Sequence, residues 1–176
     1  MRSPRNWSGR SVRRETETID DCCHLLFVKL LRILFSAALV LSLTLAPARA
    51  TVDDALSFAL EAADPYVKEG FTVREDYWGG DLPVKQTKAI VHQLFKGNEY
   101  WFWMGTDAKD AKISVHVYDG DGNLCEVEAK PVKVSGGGSA FATRVVPKKT
   151  GSYYLIVEVE KSSLERTTWS LAYGFR

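Results

Sequence analysis

Residues 112–123 read Lys-Ile-Ser-Val-His-Val-Tyr-Asp-Gly-Asp-Gly-Asn. Ile113, Val115 and Val117 alternate with Lys112, Ser114 and His116, and a period of two sends one set to a buried face and the other to water. Asp119-Gly120-Asp121-Gly122-Asn123 then reads as a turn, because Gly reaches positive φ freely and Asp or Asn bonds nearby backbone. A strand closed by such a turn, predicted here to make a hairpin, is the unit from which the rest of the chain follows.

Working outward, the same grammar recurs. Glu99 to Met104 alternates, with Tyr100, Phe102 and Met104 on one face and Trp101 and Trp103 on the other. Leu124 to Val134 reads as strand, with Pro131 marking an edge or bulge. Ser135 to Ser139 is a Gly/Ser loop, and Phe141 to Val146 is strand again. Pro147 to Ser152 turns into Tyr153 to Val159, and Thr168 to Phe175 closes the chain. Upstream, Phe71 to Trp78 is β-prone and ends in Gly79-Gly80-Asp81, and Thr87 to Phe95 is a mixed apolar run closed by Gly97-Asn98. About eight short strands with turns every eight to twelve residues predict an all-β fold, an antiparallel sandwich of the jelly-roll kind. No βαβ alternation and no internal repeat is present.

One helix precedes the strands. Thr51 with Asp54 makes a capping pattern, and Leu56, Ala59, Leu60 and Ala63 share a face. Pro65 is expected to stop it, so the domain divides into a helix over 51–66 and a sandwich over 67–176.

Residues 1–50 differ in character. Ile33 to Ala46 carries no charge, follows Lys29 and Arg32, and leads to Ala48-Arg49-Ala50. The run is shorter than the roughly 20 residues of a membrane span. It therefore reads as a secretory signal over 28–50, cleaved after Ala50, with the membrane met only in transit. Residues 1–27 are polar and Arg-rich, and are expected to be a disordered extension or to lie upstream of the true start, for which Val28 is placed. The whole chain has formal charge +1. Taking away the eight basic and four acidic residues of the first fifty from 23 and 22 leaves 15 and 18, near −3. That balance argues against nucleic acid as a partner. Only Cys125 lies beyond the signal, so no internal disulfide is available and a hydrophobic core must hold the domain.

Three blocks carry a resemblance. They are Leu94-Phe-Lys-Gly97-Asn-Glu-Tyr100-Trp-Phe102, Ile113-Ser-Val-His-Val-Tyr-Asp119-Gly-Asp-Gly122-Asn, and Val146-Pro147-Lys-Lys-Thr150-Gly151-Ser-Tyr153-Tyr-Leu-Ile-Val157. In this order they resemble the secreted β-sandwich domains of the bacterial pre-peptidase C-terminal (PPC) family. The resemblance implies a PPC-like sandwich in an accessory role, although no catalytic domain accompanies it in this chain. Gly97, Gly122 and Gly151 sit where turns call for positive φ, so Gly151→Val is expected to cost more than Gly137→Val in the loose loop. Tyr153 suits a tyrosine corner, its hydroxyl bonding back to upstream backbone.

The candidate sites are few. Asp119, Asp121 and Asn123 have the opening spacing of a Ca²⁺ loop, but Leu124 and Lys130 stand where such a loop needs Gly and Glu. A plain turn is the reading preferred, with no cofactor beyond this weak Ca²⁺ possibility. His92 and His116 lie on different strands without zinc spacing, and Cys125 reads as a buried small residue lacking a nucleophile's context. Tyr77, Trp78, Trp101 and Trp103 form the candidate ligand-binding set, because exposed rings on a sandwich face stack on sugars. The competing reading places Trp101 and Trp103 in a second core layer beneath the helix. The functional expectation is a non-enzymatic, exported binding or interaction module, periplasmic or secreted, with a protein or glycan partner in the cell envelope. The alternatives are a carbohydrate-binding protein and a small hydrolase built from scattered residues.

Overall fold

The computed structural model describes residues 51–176. The secretory signal expected over 28–50, its expected cleavage after Ala50 and the extension expected over 1–27 lie outside these residues. One helix, α1 (Val52–Lys68), precedes nine strands: β1 (Thr72–Val73), β2 (Trp78–Pro83), β3 (Thr87–Leu94), β4 (Tyr100–Thr106), β5 (Lys112–Tyr118), β6 (Glu126–Val132), β7 (Ser139–Val145), β8 (Gly151–Lys161) and β9 (Arg166–Phe175). All pairings are antiparallel. The fold is the all-β sandwich expected.

A six-stranded sheet runs β9-β4-β7-β6, with β1 and β2 following each other along the outer side of β9. A three-stranded sheet runs β3-β8-β5. Between them lies the main core, including Leu94, Phe102, Met104, Val115, Val117, Leu155, Val157 and Leu171. The inward sets read in β4 and β5 hold: Tyr100, Phe102 and Met104 point inward, as do Ile113, Val115 and Val117; Ser114, expected to face water, is instead buried at 3% exposure.

The second layer sits on the outer face of the six-stranded sheet, where α1 covers Trp101, Trp103, Ala140, Ala142 and Ala172. The capping box forms, with Thr51 accepting from the Asp54 amide and Asp54 accepting from the Thr51 amide. Two features of the helix depart from expectation. It runs through Pro65 to Lys68, and it buries Ala55, Ala59, Ala62, Ala63 and Tyr66 while Leu60 stays exposed. The extra turn carries Tyr66 onto Trp101 and Trp103, with ring centroids 4.4 and 5.5 Å apart. That burial outweighs the bond lost at proline. The small alanines face the sheet because the helix sits too close for leucine.

Gly79 and Gly80 lie inside β2, not in a turn. A Cβ on Gly79 would run into the Val52 side chain and stand 3.1 Å from Ser170 Oγ, so glycine there admits the helix N-terminus. The β-prone stretch from Phe71 accordingly divides into β1 and β2. Gly97 and Gly122 have positive φ, but Gly151 does not: it is already paired with Leu94 as the first residue of β8. Gly136 and Gly137 carry the positive φ, which reverses the order of cost expected for Gly151 and Gly137.

The C-terminus is tied back at one point. Arg176 Nη2 lies 2.9 Å from Glu99 Oε2, Arg144 bonds the other oxygen, and Arg176 Nη1 donates to the Glu69 carbonyl at 3.0 Å. Burial pushes the Glu99 carboxyl up, but bonds and charges from Arg176 and Arg144 overcome this and hold it below the usual glutamate range. The unfolded chain therefore binds the proton more readily, and stability rises with pH across that range. The contribution is whole above the ordinary glutamate value and disappears as pH falls through the lowered one. Urea midpoints measured down an acid pH series should fall through this window, and Glu99→Gln should flatten that part of the curve. An unchanged slope in the variant would count against the clamp.

Candidate functional site

The candidate residues scatter, and the fold explains why. Trp101 and Trp103 are 4% and 0% exposed, which corrects their place in a ligand-binding surface: both are second-layer core under α1. Alternation sends them to the outer face of β4, and the helix then covers that face. Lys130 Nζ sits 5.4 Å from the Trp101 ring, closing its remaining side. Tyr77 is exposed, and Trp78 is half-buried against His92 and Tyr173 at 5.1 and 5.5 Å. The four rings therefore do not make one face.

His92 occupies that aromatic corner, edge-on to Tyr173 at 4.7 Å. Burial holds its pKa down, against the opposing pull of Asp76, which favours the neutral imidazole in this corner. His116 stands on β5 with Nδ1 3.0 Å from Glu126 Oε1, and Glu126 Oε2 accepts from the Val117 amide. This is the one His–carboxylate bond among the described residues. Cys125 is half-buried and donates to the Asn123 carbonyl at 3.1 Å. Burial and then the Asp119 charge raise its pKa, which favours the thiol over the nucleophilic thiolate.

Asp119 to Asn123 form the turn expected. Asp119 Oδ1 accepts from the amides of Asp121 and Asn123 at 3.0 and 2.8 Å, and Asn123 Nδ2 reaches both carboxylate oxygens. The Asn123 bonds, backbone before side chain, hold the Asp119 pKa low. The carboxylate is thus engaged with its own turn. Among the described residues no three His, Cys, Asp or Glu side chains gather as a metal would need. The turn does not close a hairpin: β5 belongs to the three-stranded sheet and β6 to the other. It is a crossover between sheets, held at its base by the Tyr118–Leu124 bridge.

What the turn helps to build is a groove. Residues 119–127, the β7–β8 connection over 146–150, and the start of β8 enclose an open cleft of about 740 Å³ at one end of the sandwich. Leu124 and Val127 on its wall are 55% and 57% exposed, and Val146 is exposed beside them. Tyr153 forms the floor and donates to the Lys149 carbonyl at 2.9 Å, the tyrosine corner expected, which fixes the facing loop. Lys149 lies 3.8 Å from Asp121 across the opening, a solvated pair worth little to stability. Three apolar side chains presented to water on a braced frame suit a partner's apolar group, with Lys148 and the loop carbonyls for polar contact.

Sequence reading took Leu124 to Val134 as one strand and gave Val127, between Glu126 and Glu128, no separate role. A register shift between Glu126 and Glu128 turns it out. The one signal was Leu124, an apolar residue directly after a polar turn. The chain matches no protein-family model and no curated protein.

Proposed function

We propose that this chain is a non-enzymatic β-sandwich protein that binds a partner, protein or glycan, in the periplasm or outside the cell. Export rests on the charged–apolar–Ala-x-Ala order before Thr51. No helix among the described residues is long and apolar enough to cross a membrane. The observation that carries the binding reading is the groove, which presents Leu124, Val127 and Val146 to solvent on loops braced by Asp119 and Tyr153. Residues 119–123 and 146–153 of its lining fall in the second and third of the blocks that resemble the PPC family, while Leu124 and Val127 lie between those blocks, so an accessory, surface-presenting role fits part of the groove. The chemistry nearest the groove supports binding over catalysis, since the Cys125 thiol donates to the Asn123 carbonyl and burial favours the thiol over the thiolate.

The test is affinity capture with the full chain from the native envelope fraction. The variant Leu124→Asp/Val127→Asp is expected to weaken capture at least about tenfold, which is 1.4 kcal/mol of binding. The melting temperature should hold, because both side chains already face water. Undiminished capture would remove the groove from the proposal. Turnover of a peptide, ester or glycoside panel that disappears in His116→Ala would replace binding with catalysis.

A further inference from the structure

A sheet sandwich has open strand edges, and each edge is a row of backbone donors and acceptors that must be blocked, covered or used. Three edges here are blocked. β6 carries a register shift and Pro131. The edge formed by β1 and β2 is interrupted between residues 73 and 78 and ends at Pro83. On β5, the Val115 carbonyl accepts from Thr143 Oγ1 at 2.8 Å, the Val117 amide donates to Glu126 at 3.0 Å, and the Val117 carbonyl accepts from the Cys125 amide at 2.8 Å.

The fourth edge, β3, is different. It pairs with β8 at all eight positions without a shift and contains no proline. Among the described residues none of its backbone groups bonds anything but β8. Which groups face outward follows from β5. In an antiparallel strand each residue turns both backbone groups to one side, and successive residues alternate. Val115 and Val117 face away from β8, so Ser114, His116 and Tyr118 bond it through Glu158, Ile156 and Tyr154. Tyr153, Leu155 and Val157 must then serve His92, Ile90 and Lys88. Thr87, Ala89, Val91 and Gln93 are left with amide and carbonyl directed to solvent. Val91 is 59% exposed and lies opposite exposed Tyr154, and exposed Phe95 follows the strand.

We propose that β3 is a strand-addition site that receives an extended, acidic segment of another polypeptide. This goes beyond the groove and rests only on the reading that the domain binds. Main-chain pairing along the outward residues would supply affinity, and an apolar side chain on the outer face of the added strand would pack on Val91, which Tyr154 flanks on β8. Charge selects the occupant. Between Asp81 and Glu99 the only charged residues are Lys85, Lys88 and Lys96, so an acidic strand is attracted and a second copy of β3 is repelled.

The experiment follows amide hydrogen exchange in the isotope-labelled full chain, with a synthetic peptide of alternating Val and Glu and its Val/Lys counterpart as probes. The Val/Glu peptide should bind and slow exchange at Ala89, Val91 and Gln93, and the Val/Lys peptide should not. Val91→Pro removes one outward amide without touching a bond to β8, and should weaken binding about tenfold, the worth of one main-chain hydrogen bond. Lys85→Glu/Lys88→Glu/Lys96→Glu, which turns three positive charges into three negative ones, should exchange the preference between the two peptides. Several results would overturn the proposal: no binding of either peptide, equal binding of both, or protection of those amides by the chain itself as its concentration rises. So would binding lost in Leu124→Asp/Val127→Asp but kept in Val91→Pro, which would move the peptide to the groove.

Discussion

Gly105→Val is expected to lower the unfolding free energy by about 3 kcal/mol or more, at the upper end of what overpacking a core costs. Gly105 lies on the helix-covered face of β4, paired with Ala140 and Ser170. A Cβ there would collide with the Ala55 carbonyl oxygen and the Ala59 amide nitrogen, and its third neighbour, 3.0 Å away, is the Phe58 carbonyl carbon. All three atoms are helix backbone, which has no rotamer by which to retreat. The only relief is to lift α1, and lifting it uncovers Trp101, Trp103 and Tyr66 together. The variant should therefore show a lowered urea midpoint and red-shifted tryptophan emission. Gly151→Val is the control, since nothing lies within 4 Å of a Cβ built there and its φ is not positive. Equal midpoints for the two variants would show that helix and sheet are not in backbone contact at Gly105.

Trp103→Ala is expected to cost about 3–5 kcal/mol, the range for removing a fully buried large aromatic. Trp103 has no exposed surface, and its ring lies under Tyr66 and against Gly174, where a Cβ would come within 3.1 Å of it. The cavity left cannot collapse, because its walls are sheet backbone on one side and the alanine face of α1 on the other. Trp103→Phe should cost much less. It keeps most of the ring volume and removes an indole N–H that is buried without an acceptor among the described residues. Trp78→Ala should also cost less, since that ring is already half in solvent. Equilibrium denaturation of the three variants decides the matter: a Trp103→Ala cost below that of Trp78→Ala would return Trp103 to the surface.

The alternation in β4 and β5 was legible because a period of two is a local property, and each strand reports its own faces. Thr51 and Asp54 were legible for the same reason: a capping box is complete within four residues. The errors share the opposite cause. Pro65 is a helix breaker by local rule, yet Tyr66 gains more from Trp101 and Trp103 than the proline loses. Gly79 and Gly80 look like a turn, yet they are strand, because the distant Val52 needs the space above Gly79. Leu124 to Val134 read as one continuous strand, yet a register shift against β7 between Glu126 and Glu128 breaks its regularity at Val127.

Taken by itself, then, the sequence determined an antiparallel sandwich of short strands behind one capped helix, because alternation, turn residues and caps act over a few positions. It also fixed the low charge, the absence of an internal disulfide after Ala50, and the identity of the aromatic and acidic candidates. Only the tertiary structure decided that Trp101 and Trp103 are core, that the Asp119 turn crosses between sheets, and that Leu124, Val127 and Val146 share one groove. It alone decided which edge stays open, since the groups that block β5 come from Thr143, Glu126 and Cys125. The physical reason is common to all of these. Burial and hydrogen-bond satisfaction are set by what the chain brings from far along its length, and no local pattern records the partner.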